Sequence, residues 1–309
     1  MITQQIRIGT RGSKLALTQA DQVRRRIIRA LGSDDDGVVL DRITTSGDRI
    51  QDRVLTDIGG KGLFTREIEE ALISGRIDCA IHSLKDMPAA DPPGLVIAAI
   101  PEREDPRDAY LSVHFADLAA LPRGARLGTA SLRRQAQSLH QRPDLAVFPL
   151  RGNVDTRLAK LDRGEADAIL LALAGLRRLG LGHLPKALID PILSPPAPGQ
   201  GALAIQTRAE DADAPWLAAL KHAPTTLAVT AERGALTALE ASCRTAVGAY
   251  ARLDGPWLRL IVEALTPDGA RRFRREGEVS KSDGLIAARD LGLRMGDEIR
   301  IEGGESLFA

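Results

Sequence analysis

The chain has 309 residues and a mass of 33.1 kDa, about twice a common single domain, so two or three packed units are expected. Its 44% hydrophobic and 27% charged residues exclude a disordered or fibrous chain. With 42 Lys plus Arg against 41 Asp plus Glu, the net charge of +1 sets up no global field for nucleic acid or an anionic membrane, and 3% aromatic residues leave few rings for stacking bases.

The opening MITQQIRIGT carries no apolar export segment, and no run approaches the roughly 18 apolar residues of a membrane helix, so a cytoplasmic chain is expected. Gln5 to Gly9 alternate apolar and polar as a strand. Thr10-Arg11-Gly12-Ser13 then turns into a helix with Ala16, Ala20, Val23, Ile27 and Leu31 on one face and Ser13 as its N-cap. Val38 to Ile43 reads as the next strand. The polar stretch at residues 44–62 reads as a long loop of a kind that is often functional. Its GGKG lacks the GxxxxGK[ST] spacing, so nucleotide binding is excluded. A helix with Phe64, Ile68, Ala71 and Leu72 inward follows, then a strand through Ile77, Cys79 and Ile81 that runs into HSLKDMP, and a strand from Leu95 to Ile100. Strands alternating with helices predict a mostly parallel α/β sheet.

PEREDPRDA, residues 101–109, reads as a crossing to a second lobe, where strands at 126–128, 145–149 and 168–172 are each followed by helical sequence. Leu127 to Ser131 echoes Ile8 to Ser13, a sign of a shared plan. SPPAPGQG, residues 194–201, reads as the return crossing before the strand-like GALAIQTR. From about Thr225, one helix, strands at 247–253, 257–264 and 272–279, and a helix near 283–294 predict a small α+β domain. The expected division is 1–101 with 200–220, then 102–199, then 221–309.

Ligands of open α/β sheets lie beyond the carboxyl ends of the strands. Five such places are polar or basic: Arg11 and Ser13; Ser83, Lys85 and Asp86; Ser131, Arg133 and Arg134; Arg151 and Asn153; Arg177 and Arg178. Between Arg123 and Arg157, seven arginines stand against two acids, Asp144 and Asp155. Guanidinium forks and helix-start amides hold carboxylates, so the pattern predicts a polycarboxylate site between two lobes. Taken singly, each arginine also fits a solvated surface residue. Asp86 fits either a cap of the loop before Pro88 or a catalytic carboxylate. Cys79 reads as core, and Cys243, in LEASCRTAVG at a helix end, reads on its own as a structural thiol. Two distant cysteines indicate neither a disulfide framework nor a zinc site.

The motifs IGTRGSKLALTQA, GGKGLF, HSLKDMP, REDPRDA, LGTASLRRQ, LRGNVDTRL, ALAGLRRLG, PAPGQGALAI and TAERGALTALEASC, in this order, resemble the porphobilinogen deaminase (hydroxymethylbilane synthase) family of tetrapyrrole biosynthesis over nearly the whole chain. Ala241, Ser242 and Ala246 depart from the family's usual glycines and proline around the cysteine. The resemblance implies a two-lobed, periplasmic-binding-protein-like (type II) α/β pair with a central cleft, hinges near residues 101 and 200, and a third α+β domain presenting Cys243. It implies that Cys243 carries a dipyrromethane cofactor through a thioether, assembled from the substrate porphobilinogen. By motif position Asp86 is the catalytic carboxylate, and Lys85, Ser131, Arg133, Arg134, Arg151 and Arg157 hold cofactor carboxylates. Arg11, Ser13, Gln19 and Arg178 meet the incoming or growing end, and Lys61 belongs to a lid loop. A monomer without nucleic-acid or membrane partner is expected. The competing expectations are a non-catalytic two-lobed binder of a small polycarboxylate, which a missing export segment disfavours, and, more distantly, a nucleic-acid-binding module.

Overall fold

The computed structural model describes residues 5–32, 35–49, 65–240 and 245–307. It divides into two units, Met1–Glu104 with Ala202–Thr226, and Asp105–Gly201 with Leu227–Ala309.

The first unit opens with β1 (Ile6–Arg11), α1 (Lys14–Leu31), β2 (Val38–Ile43), the one-turn α2 (Ser46–Arg49), α3 (Arg66–Ile73), β3 (Cys79–Ser83) and β4 (Leu95–Ala99). Ser13 caps α1 as its sequence predicts: its backbone is extended and its Oγ accepts the Ala16 amide at 3.2 Å. Gly32 closes the helix in the left-handed region at φ 58°, where a side chain would be strained. The helix buries Gln19, Ala20, Val23 and Ile27. Part of the expected 44–62 loop is therefore helix α2, while residues 50–64, with Phe64, lie outside the described residues. In β3 Cys79, Ala80, Ile81 and His82 are all buried, because a central strand covered on both faces loses the alternation of a half-exposed one.

The second unit begins with β5 (Asp108–Leu111), which lies within and just beyond the stretch expected to be a plain crossing. It continues with β6 (Arg126–Gly128), α4 (Leu132–Gln141), β7 (Ala146–Phe148), α5 (Val154–Asp162), β8 (Ala168–Ala172), α6 (Leu173–Arg178) and β9 (Ala187–Leu188). The chain then returns to the first unit as β10 (Leu203–Arg208).

The first sheet has the order β2-β1-β3-β10-β4 and the second β7-β6-β8-β5-β9. In each, the first three strands are parallel and the fourth is antiparallel to both neighbours. The sheets are thus mixed rather than simply parallel, because the fourth position of each is filled by a strand next to a crossing segment. The shared order gives physical content to the echo between Ile8–Ser13 and Leu127–Ser131. Apolar clusters around Ile8, Val23, Ile27 and Ile205, and around Leu127, Leu145 and Tyr110, form the two cores.

The remaining elements of the second unit are α7 (Ala223–Ala238), which begins in the first unit's segment, and the antiparallel meander β11 (Ala246–Asp254), β12 (Trp257–Leu265) and β13 (Arg272–Ser280) with α8 (Gly284–Gly303). They close a core of their own around Ala231, Leu239, Leu260, Val262 and Met295. Helix α8 runs nine residues beyond the expected Arg294, because Ala288, Leu291, Met295 and Ile299 continue one buried stripe at helical spacing. Helix α7 ends at Ala238, short of the cysteine expected at its end.

Candidate functional site

Within the first unit, β1 and β3 are adjacent and parallel, so their carboxyl ends share one edge of the sheet. Arg11 ends β1, and Ser13 follows as the helix cap. Ser83 ends β3, and its hydroxyl accepts Gln19 Nε2 at 2.9 Å, so Gln19 is buried on its helix and tied to the strand end. Lys85 and Asp86 lie on a single 3-10 turn, Leu84–Asp86, whose Leu84 is buried as its anchor while Asp86 is exposed. The turn closes through Met87 N donating to Leu84 O at 3.1 Å. A carboxylate held on such a turn stays hydrated and ready to face a cation. Just before it, His82 is buried with its ring nitrogen 3.2 Å from Gln206 Oε1. Burial pushes its pKa down to about 4 against the hydrogen bond to Gln206, and the charge of Arg11 pushes the same way. His82 is therefore a neutral ring at pH 7.

Within the second unit, β7, β6 and β8 are parallel, and the residues following them gather at one edge. Ser131 caps α4 by accepting the Arg134 amide at 3.4 Å, and Asn153 caps α5 by accepting the Thr156 amide at 2.8 Å. Arg133 and Arg134, expected to hold cofactor carboxylates, are 4% and 6% exposed. Both pair with Asp108, at 2.7 Å each. Burial raises the Asp108 carboxyl, and the two guanidiniums overcome this to hold it well below the usual carboxylate range. Arg178 Nη2 donates to Gly201 O at 2.7 Å, which fastens the end of α6 to the return crossing.

Arg157 differs from these. It is half-buried on α5, its Nε is buried without a hydrogen-bond partner, and no ion pair reaches it among the described residues. Burial first, and then the charges of Arg134 and Arg151, lower its pKa to about 10. Two further arginines expected to bind carboxylates, Arg134 and Arg151, thus stand close enough for their charge to act on Arg157, and Arg134 is paired with Asp108. Such a cluster is a ready anion site, and the buried, unpartnered Nε fits a carboxylate-rich group such as a dipyrromethane. Lys61 and Cys243 lie outside the described residues.

Residue order does not single out Asp108 or Gln200, which stand in REDPRDA and PAPGQGALAI. Gln200 Nε2 donates to Asp108 Oδ1 at 2.8 Å and to Pro106 O at 2.6 Å. Each is a polar residue in a segment whose sequence predicts a crossing. They meet across 92 residues of chain.

A family model described as "Porphobilinogen deaminase, dipyromethane cofactor binding domain" matches residues 6–215, and one described as "Porphobilinogen deaminase, C-terminal domain" matches residues 226–300. The porphobilinogen deaminase of Caulobacter sp. (strain K31) is 66% identical over 316 residues, covering 100% of this chain and 99% of its own length. That of Phenylobacterium zucineum (strain HLK1) is 64% identical over 312 residues, covering 98% of each chain. Among solved structures, the methionine binding protein MetQ aligns at 17% identity over 70% of this chain and 88% of its own, with a TM-score of 0.44.

Proposed function

The chain belongs to the porphobilinogen deaminase family, and on that premise we propose which of its residues carry the reaction. The enzyme joins four porphobilinogen molecules head to tail onto a covalent dipyrromethane primer, with loss of ammonia at each joining and a final hydrolysis that releases hydroxymethylbilane. A porphobilinogen ring brings an acetate and a propionate, so every ring added brings two negative charges to be held.

The observation that carries the reading is Arg157, kept half-buried beside the positive charges of Arg134 and Arg151 with its Nε unpartnered. A fold retains such a repulsive arrangement where an anion relieves it. In this reading Arg157 and Arg151, with Lys85, Ser131, Arg133 and Arg134, hold the cofactor carboxylates. When bound through Cys243, the dipyrromethane supplies the free pyrrole carbon from which the chain grows. Arg11, Ser13, Gln19 and Arg178 bind the carboxylates of the arriving ring. Asp86 balances the positive charge that develops at the pyrrole nitrogens and moves a proton there, which its exposed place on the turn after β3 allows. Lys61 belongs to a lid loop.

We extend the proposal to the division 1–101 with 200–220, 102–199 and 221–309, supported for the last by its own core. We likewise propose a cytoplasmic monomer that works without nucleic acid or membrane, in keeping with the net charge of +1. No helix among the described residues is long and apolar enough to cross a membrane.

Denaturing intact-mass analysis tests the reading, because a thioether survives unfolding. The expected result is a two-ring adduct on the peptide containing Cys243, absent together with turnover in Cys243→Ser. An unmodified Cys243 in active protein would overturn it and return the passive binder to favour.

A further inference from the structure

Arg133 and Arg134 are consecutive on α4, so their side chains leave the helix about 100° apart. Two buried guanidiniums also repel. One carboxylate answers both conditions. Asp108 Oδ2 accepts Arg133 Nη1 at 2.7 Å, while Oδ1 accepts Arg134 Nη2 at 2.7 Å and Arg134 Nε at 3.1 Å. The acid is itself fixed. It is the first residue of β5, in register with Ala172 at the end of β8, and Gln200 Nε2 donates to its Oδ1 at 2.8 Å. Arg134 Nη1 adds a bond to Leu170 O of β8 at 3.0 Å, so its guanidinium is referenced to the strand whose end borders the arginine cluster. On the other side, Arg133 Nη1 meets Gln137 Oε1 at 2.8 Å, and Gln137 Nε2 donates to Glu263 Oε1 of β12 at 2.7 Å. Two guanidiniums against one carboxylate leave a single positive charge, and it is Arg134's charge that Arg157 feels.

We propose that Asp108 is a positioning residue of the anion site, one that orients Arg133 and Arg134 beside Arg157 and Arg151. This rests on the reading of those arginines as a carboxylate site. Asp108 acts through the arginines and touches no substrate. A buried ion pair is often only structural, and the two roles part in what they change. A structural acid alters how much protein folds and how stable it is. A positioning acid also alters how well the folded protein loads and uses its ligand.

The experiment compares the full-length parent with Asp108→Asn, Gln200→Leu and Arg157→Leu. It reads the fraction of chains bearing the adduct by denaturing mass, the melting temperature, and kcat and KM for porphobilinogen per adduct-bearing chain. Folded Asp108→Asn is expected to show an adduct fraction at least threefold lower and a KM at least fivefold higher than the parent. An adduct fraction and KM equal to the parent's, with only the melting temperature lowered, overturns the proposal. Where Asp108→Asn yields no folded protein, Gln200→Leu decides, since it keeps all three charges and removes the donor to Asp108, together with the bond to Pro106 O and the long contact to Arg134 at 3.5 Å. A drop of at least twofold in its adduct fraction supports the proposal, and a parental value overturns it. Arg157→Leu separates the two levels: if it is impaired while Asp108→Asn loads and turns over normally, only the positioning role falls, and if Arg157→Leu is itself normal, the carboxylate reading falls.

Discussion

Arg157 sits where its own charge is unwelcome, and removing it therefore has an unusual expected sign. Its guanidinium is held to about 10 rather than 12.5, by burial first and then by Arg134 and Arg151. At about 1.4 kcal/mol per pH unit this amounts to at most about 3.5 kcal/mol disfavouring the charged form in the fold, and access to solvent reduces it to about 1–2 kcal/mol. A basic group whose folded pKa is lowered weakens the fold fully below that pKa, and the penalty fades as pH rises through about 10. In a Cys243→Ser background, which carries no adduct in the proposed reading, Arg157→Leu is therefore expected to raise stability by about 1–2 kcal/mol at pH 7.5, a rise of roughly 2–6 °C in melting temperature. Added salt should shrink the gain, because the repulsion from Arg134 and Arg151 is screened. Circular-dichroism melts of the two chains at low and high sodium chloride provide the measurement. A melting temperature lowered by several degrees would refute the reasoning, since Arg157 would then be a stabilising member of the fold rather than a residue held for a ligand.

Asp86→Asn keeps the shape of the exposed turn residue and removes its charge, so turnover should fall by roughly 10²–10³ with little change in stability. Single-turnover ammonia release on adduct-bearing protein reads this, and a rate equal to the parent's excludes Asp86 from the chemistry. His82 is neutral in the fold down to about pH 4 but takes up a proton near 6.5 when unfolded. Its contribution to stability is thus present above pH 6.5 and lost as pH falls toward 4, by up to about 1.4 kcal/mol per unit. In urea titrations between pH 6.5 and 4.5, His82→Gln should lose stability less steeply than the parent, and parallel slopes would contradict the assignment.

Local features of this chain were legible from residue order because they depend on near neighbours. The Ser13 cap, the helix face of Ala20, Val23 and Ile27, and the strand Val38–Ile43 stand where period and capping chemistry put them. The positions of Ser131, Arg151 and Asp86 just beyond strand ends were legible for the same reason, and the ordered motifs carried the family. Nothing local marks Asp108 as the partner of two arginines 25 and 26 residues away, or Gln200 as its holder from 92 residues on. Asp108 itself is placed by β5 entering its sheet antiparallel beside β8, a pairing settled by backbone hydrogen bonds between distant segments. The same holds for Arg157: its place in the sequence shows a cation, while its displaced pKa comes from burial and two like charges brought close by folding. Sequence by itself determined which groups can bind carboxylates and roughly where the chain turns. Tertiary structure decided which arginines are neutralised in the interior and which keep charge in reserve, because desolvation and Coulomb interaction depend on distance in space, which chain separation does not encode.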